Sequence, residues 1–231
     1  MKGGLRAGCY HMEVTYTTTS TRSLRLKDGT EISIRPIVRD DKRLLKASFD
    51  RLSEESRFRR FLSPKNQLTP QELAFLTEVD HHDHEALVAV HPKRWEGIGV
   101  ARFVRSEHDF GVAEVAVTVV DGWQHRGVGT ALLAQLVERA RAEGVRRFSA
   151  VVHSSNRPMF ELLDQLGAVV SRSRDGSSVE IEIDLPPREG VGSQLRNALR
   201  AAATDQMTMA FMPAGMELGS RFWARLHSRE P

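Results

Sequence analysis

The sequence predicts an α+β fold built on a mixed sheet, and three observations predict it. Segments with strict two-residue alternation of apolar and polar side chains recur between segments with helical spacing. Their order is β-α-α-α-β-β-β-α-β-α-β-β, counting an opening hairpin once, and the three consecutive strands in the middle read as an antiparallel meander. The 231 residues are 40% apolar, enough for one sizeable core with an appendage or for two small domains.

Residues 1–23, largely threonine-rich and aperiodic, read as an N-terminal arm. Leu24 to Arg35 alternates on both sides of Asp28-Gly29, which predicts a hairpin with a type I′ turn, and Pro36 closes its second strand. Leu44, Leu45, Phe49, Leu52, Phe58, Phe61 and Leu62 follow at helical spacings, and a fresh cap at Ser53 divides them into two helices. Thr69-Pro70 starts a third, with Leu73, Leu76 and Val79 on one face. Strands are expected at 85–91, 97–105 and 112–120, separated by turn signals at Pro92, Gly97 and Asp109. Val128, Leu132, Leu136, Val137 and Ala140 form a helical stripe that ends at Gly144. A strand over 148–152, a short helix over 158–166 and two strands over 168–171 and 179–183 complete the domain, residues 24–185. Leu185-Pro186-Pro187 marks a boundary, and residues 186–231 read as a C-terminal extension with one helix through Leu195, Ala198, Leu199 and Ala202.

Composition narrows the function classes. Lys and Arg exceed Asp and Glu by only 33 to 30, too little to argue for nucleic acid. Cys9 is the single cysteine, which excludes an internal disulfide framework and a multi-cysteine zinc module, so a cytoplasmic setting is expected. The chain starts without an apolar signal region, and no apolar run approaches the roughly 20 residues of a membrane helix, so no membrane partner is expected. The histidine-rich stretch Asp80 to His84 offers metal-ligand side chains, but adjacent histidines point apart and no second cluster accompanies them, so no metal is expected.

Two features carry chemistry. In Asp121-Gly122-Trp123-Gln124-His125-Arg126-Gly127-Val128-Gly129-Thr130, glycines stand where a strand hands over to a helix, so backbone N–H groups and the helix dipole can converge on an anion. Arg126 would add a charged donor, and Gln124 and His125 polar reach. The rival reading of the same residues is a plain tight turn, which the two glycines alone favour. The other feature is Glu114, which shares a strand face with the small residues Ala116 and Thr118, while Ala113, Val115, Val117 and Val119 point to the core. A carboxylate among valines acquires a raised pKa suited to a general base, and the strand from Glu114 to Val120 spans roughly 20 Å, about a pantetheine arm. Taken alone, Glu114 reads more simply as a solvated carboxylate at a strand start.

The run Gln124-His125-Arg126-Gly127-Val128-Gly129 resembles the pyrophosphate motif Q/R-x-x-G-x-G/A of the GNAT N-acetyltransferases. Val115 to Val119 precede it as that family's splayed strand, and Asn156 stands eleven residues before Gly167 as in the family. The resemblance covers residues 24–185 and implies a mostly antiparallel central sheet flanked by helices. Ile34-Arg35-Pro36, Arg51 to Phe58, Glu85 to Ala89 and Ala113 to Val117 look most like the bacterial protein-lysine acetyltransferases of the Pat type. What it implies is an acetyl-CoA-dependent acyltransferase acting on a protein lysine, with metabolic enzymes as the expected acceptors. Glu114 would be the base; Gln124 to Thr130 would hold the pyrophosphate, the backbone of Val117 and Val119 the pantetheine, and Asn156 the pantetheine or a water near the thiolate. As its rival role, Asn156 caps the helix that follows. Where many GNAT enzymes carry an acidic Tyr, this chain has Leu163, which leaves the thiolate, of pKa ~8.5, to depart without that acid. The cyclic-nucleotide domain found in that branch is not expected beside residues 24–185, and His82 or His84 would lie near the acceptor. A small-amine acceptor, a non-catalytic acyl-CoA sensor and the oligomeric state stay open.

Overall fold

The structure, a computed structural model, describes residues 21–185. The expected C-terminal helix and nearly all of the N-terminal arm lie outside them. Strand β1 (Arg22–Arg25) pairs antiparallel with β2 (Glu31–Pro36). The turn between them departs from type I′, because only Gly29 takes a positive φ, 82°. Gly29 N donates to Leu26 O at 3.0 Å and Leu26 N to Thr30 O at 2.8 Å, which makes a three-residue loop with a glycine bulge. The Thr30 amide donates to Asp28 Oδ1 at 2.9 Å, and this local bond anchors the aspartate in that loop.

After a 3₁₀ turn at Arg39–Asp41 come α1 (Lys42–Asp50), α2 (Glu54–Phe61) and α3 (Pro70–Thr77). Ser53 caps α2 by accepting from the Ser56 amide at 3.2 Å. A capping box starts α3, with the Glu72 amide on Thr69 Oγ1 at 3.2 Å and the Thr69 amide on Glu72 Oε2 at 2.7 Å. Then β3 (His84–His91), β4 (Glu96–Arg105) and β5 (Val112–Val119) form the antiparallel meander, and β2 joins it alongside β3. Helix α4 (Val128–Ala142) leads to β6 (Arg147–His153), which lies parallel to β5; α5 (Arg157–Leu166), β7 (Ala168–Asp175) and β8 (Ser178–Asp184) follow. The spatial order is β1-β2-β3-β4-β5-β6-β8-β7.

One face of this sheet packs on α4, where Leu132, Leu136 and Val137 join Phe103, Val115 and Val117 in the main core. Each such fully buried side chain stabilises the fold by about 1.5–3 kcal/mol. The other face is covered by α1 and α3 through Leu45, Phe49 and Leu76. Helix α4 ends in a Schellman motif, Val145 N on Ala140 O at 2.9 Å and Gly144 N on Arg141 O at 3.2 Å. These packings leave β5 central, with its two edges treated differently.

Candidate active site

Strand β5 is paired with β4 from Ala113 to Val119, but with β6 only over Val112, Ala113 and Glu114. Beyond Glu114 the two strands part. Val120 N donates to Ile98 O at 2.9 Å, which fixes the ladder's phase: residues of Val120's parity bond to β4. Val115, Val117 and Val119 therefore direct their N–H and C=O groups toward the gap left by β6. Gln124 Nε2 takes up the Val119 carbonyl at 3.0 Å. What remains is a short free edge of the kind that can accept an extended, amide-bearing chain as an added strand.

At the far end of that edge, α4 begins at Gly127, held at φ 83° and ψ 5° with no side chain capping the helix. The first-turn amides of Val128, Gly129 and Thr130 have no acceptor within the helix. The buried Thr130 hydroxyl likewise finds no partner. A Cβ built on Gly127 meets nothing within 4 Å, so the space in front of the helix end is open. Backbone donors, a 15-residue helix dipole and open space together make an anion cradle.

The side chains of the same stretch point elsewhere. Arg126 Nε donates to Asp28 Oδ2 at 2.7 Å and Nη2 to Thr30 Oγ1 at 2.8 Å, while its guanidinium lies 4.2 Å from the Trp123 ring centroid. Gln124 is buried and holds Ser56 Oγ at 3.2 Å as well as the Val119 carbonyl. His125 is exposed at φ 62°. Asp121 accepts from the Ser53 amide at 2.9 Å, Ser53 Oγ at 2.7 Å and Ser56 Oγ at 2.8 Å. Burial pushes the Asp121 carboxyl up, but these hydrogen bonds outweigh it and hold it below its ordinary value. The cradle loop is thereby bolted to the start of α2. Asn156 is fully buried at the N-cap position of α5, yet its side chain makes no cap bond there. Leu163 is fully buried in the main core.

Glu114 lies at the point where β5 and β6 separate, opposite Ser149. It is half-buried, and burial pushes its carboxyl up to about 7; Arg60 opposes that rise and Glu180 adds to it. A carboxyl of that affinity is part ionised at neutral pH and takes up a proton readily. Two neighbours carry no motif in the sequence. Arg60 comes from α2 and Arg102 from β4, both buried, and burial pushes their guanidinium groups down to about 10 and about 9, which leaves them charged at neutral pH.

The histidines of the 80–84 loop do not converge. His81 Nδ1 meets Glu85 Oε1 at 2.7 Å, His82 pairs with Glu143, and His84 Nε2 meets Arg102 Nη1 at 3.0 Å. Among the described residues no three or more His, Cys, Asp or Glu side chains gather into a metal-binding group.

Comparison with known proteins gives the family and the fold. Residues 44–168 match the Acetyltransferase (GNAT) family. The chain is similar to the acetyltransferase Pat of Mycolicibacterium smegmatis, 36% identical over 184 residues, across 77% of this chain and 54% of that protein. It is also similar to an acetyltransferase of Pseudomonas aeruginosa, 32% identical over 155 residues, across 66% of this chain and 83% of the other. The solved GNAT domain of S. lividans PAT superposes with a TM-score of 0.66 at 31% identity, covering 71% of this chain and 97% of that one. The chain spans about half the length of the M. smegmatis relative.

Proposed function

Because the chain belongs to the GNAT acetyltransferase family, we propose that it moves the acetyl group of acetyl-CoA onto the ε-amine of a protein lysine, with Glu114 as proton acceptor. The observation that carries this reading is a carboxyl of pKa about 7 at one end of the free β5 edge, with an uncapped helix start at the other. GNAT acetyltransferases use acetyl-CoA, and the residues present fit it: the Val128 to Thr130 amides for the pyrophosphate, Val115 and Val117 for the amide-bearing arm. The likeness to the Pat acetyltransferases supports a protein acceptor.

A lysine amine of pKa ~10.4 is almost wholly protonated at neutral pH and must lose a proton before it attacks. Glu114 takes that proton. The amine nitrogen then bonds to the thioester carbonyl carbon, the C–S bond breaks, and the electron pair leaves with sulfur. A backbone N–H on the β5 edge donates to the carbonyl oxygen as charge builds on it. The core position of Leu163 supplies no acid, and the thiolate leaves unprotonated.

The test follows thiol release from acetyl-CoA by the purified chain with protein and lysine-peptide acceptors, and locates the product by mass spectrometry. One ε-acetyl-lysine for each thiol is expected. Transfer to small amines alone would replace the acceptor, and tight acetyl-CoA binding without any transfer would make the protein a sensor.

A further inference from the structure

Strand pairing places a second carboxylate near the candidate base. Glu114 lies opposite Ser149 of β6, Ser149 lies opposite Glu182 of β8, and Val151 lies opposite Glu180. Directly opposed residues share a face, so Glu114, Glu180 and Glu182 stand on one side of the sheet, while Ile181 and Ile183 fill the core on the other. Helices α1 and α2 lie over β4 and β5 on the carboxylate side. Helix α2 reaches as far as β6, where the Phe58 and His153 rings meet edge-on with centroids 5.8 Å apart. Past β6, Glu180 and its β7 neighbour Ser173 are exposed. Glu180 thus stands at the rim of this face, two strands out from Glu114.

The carboxylates on this rim are not equivalent. Arg147 Nε donates to Asp184 Oδ1 at 2.8 Å and Nη1 to Glu182 Oε2 at 3.1 Å, which commits both to one guanidinium. Among the described residues Glu180 makes no hydrogen bond or ion pair, and the group that feels its charge is Glu114. Two strand spacings are about 10 Å. A lysine amine seated at Glu114 leaves Glu180 to another charge, and a long basic side chain beside that lysine spans the distance. An exposed carboxylate attracts such a cation and repels an acid in the same place, which sorts partners more than it tightens binding. Resting on the acyl-transfer reading, we propose that Glu180 is a specificity-determining residue for the acceptor: it selects lysines with a basic residue close by in the acceptor chain over lysines with an acidic one. The reacting amine gives its proton to Glu114, while the neighbouring cation sits at Glu180 and keeps its charge.

The decisive comparison uses three peptides, identical except that Arg, Gln or Glu stands two positions from the single lysine on both sides, since side chains two apart in an extended chain share a face. At low salt wild type should favour the Arg peptide over the Glu peptide about fivefold or more in kcat/KM, mainly through KM, with the Gln peptide between them. High salt should flatten that preference. In Glu180→Gln the ratio should fall toward one, in Glu180→Lys it should invert, and acetyl-CoA affinity by calorimetry should not move in either. Each ratio is internal to its variant, so loss of folded protein does not imitate the result. Glu161→Gln removes an exposed carboxylate from α5, whose Leu162 and Leu163 join the core on the opposite face, and should keep the wild-type ratio. Equal use of the three peptides by wild type overturns this inference alone. So does an equal fall in Glu161→Gln, which makes the preference one of net charge. A Glu180→Gln variant that alters the pH profile and keeps the ratio also overturns it, because Glu180 then tunes the base and does not read the acceptor. No transfer to any of the peptides overturns the acyl-transfer reading, and this inference with it.

Discussion

At its Val120 end β5 hands over to a loop that offers backbone, while at its Glu114 end it offers a side chain whose proton affinity burial has changed. In the loop, Arg126 and Gln124 are committed to Asp28, Thr30, Ser56 and the Val119 carbonyl, so the groups left for a ligand are amides at the start of α4. At Glu114 the opposite holds: one carboxyl, raised to about 7, faces a guanidinium from a different element. On the proposed reading, the difference teaches that binding and chemistry would be built from separate materials. Amides of fixed geometry would hold a polyanion at any pH at which the protein folds, and a displaced carboxyl would tie turnover to pH.

The sharpest way to break this contrast is Glu114→Gln. Removing a general base costs about 10²- to 10⁴-fold in kcat/KM. The wild-type acidic limb, expected near pH 7 from the raised carboxyl, should vanish with it. Acetyl-CoA affinity, measured by calorimetry, should stay within a few-fold because the cradle is at the other end of the strand. Stability should move the opposite way to activity. The folded carboxyl holds its proton to about 7 against an ordinary value of 4.5, so the unfolded chain releases it first and wild type loses stability as pH rises between those values. By pH 8 the variant should be the more stable by about 1–2 kcal/mol once solvent screening is allowed for, and the two should converge near pH 4. A variant less stable than wild type at pH 8 would assign Glu114 a structural role.

Gly127→Val tests the other end. Its φ of 83° suits glycine, and a β-branched residue there costs about 1–3 kcal/mol of strain. The added side chain meets no protein atom and projects into the open space before the helix. The fold should therefore survive with a modest loss, while acetyl-CoA affinity falls tenfold or more. Equal affinity for wild type and variant would reduce the loop to a turn.

How much of this was legible in the sequence follows the same division. The cradle was readable because its parts are local: two glycines, a strand before them and an apolar helical stripe after them. Glu114 was readable from alternation, which put it on the face with Ala116 and Thr118. The partners that decide its chemistry were not, since Arg60 is one arginine among several on α2, buried only once that helix is tied to Asp121, 65 residues downstream of Ser56. Arg102 likewise is one of many polar alternations until α3 supplies the Leu76 carbonyl. Asp28-Gly29 announced the hairpin, but the type I′ turn expected there gives way to a three-residue loop with a bulge at Gly29, where the Thr30 amide holds Asp28. Arg126 was expected at the phosphate for want of any local sign that the hairpin, 96 residues away at Thr30, would hold it.

That last point gives the smallest expected effect and the finest test of the contrast. Arg126 Nε lies 2.7 Å from Asp28 Oδ2, a partly exposed pair, and the same guanidinium covers the Trp123 ring. Pairs of this kind contribute about 0.2–1 kcal/mol, and the ring contact a similar amount. Arg126→Ala should thus destabilise the fold by roughly 1 kcal/mol, with the loss shrinking in high salt as the ion pair is screened. If backbone carries the cradle, acetyl-CoA affinity changes less than threefold, and its salt dependence stays that of wild type. A loss above tenfold that grows as ionic strength falls means the guanidinium leaves Asp28 for the pyrophosphate on binding. The two ends of β5 would then both work through side-chain charge, and the distinction between a backbone site and a titrating site would fail.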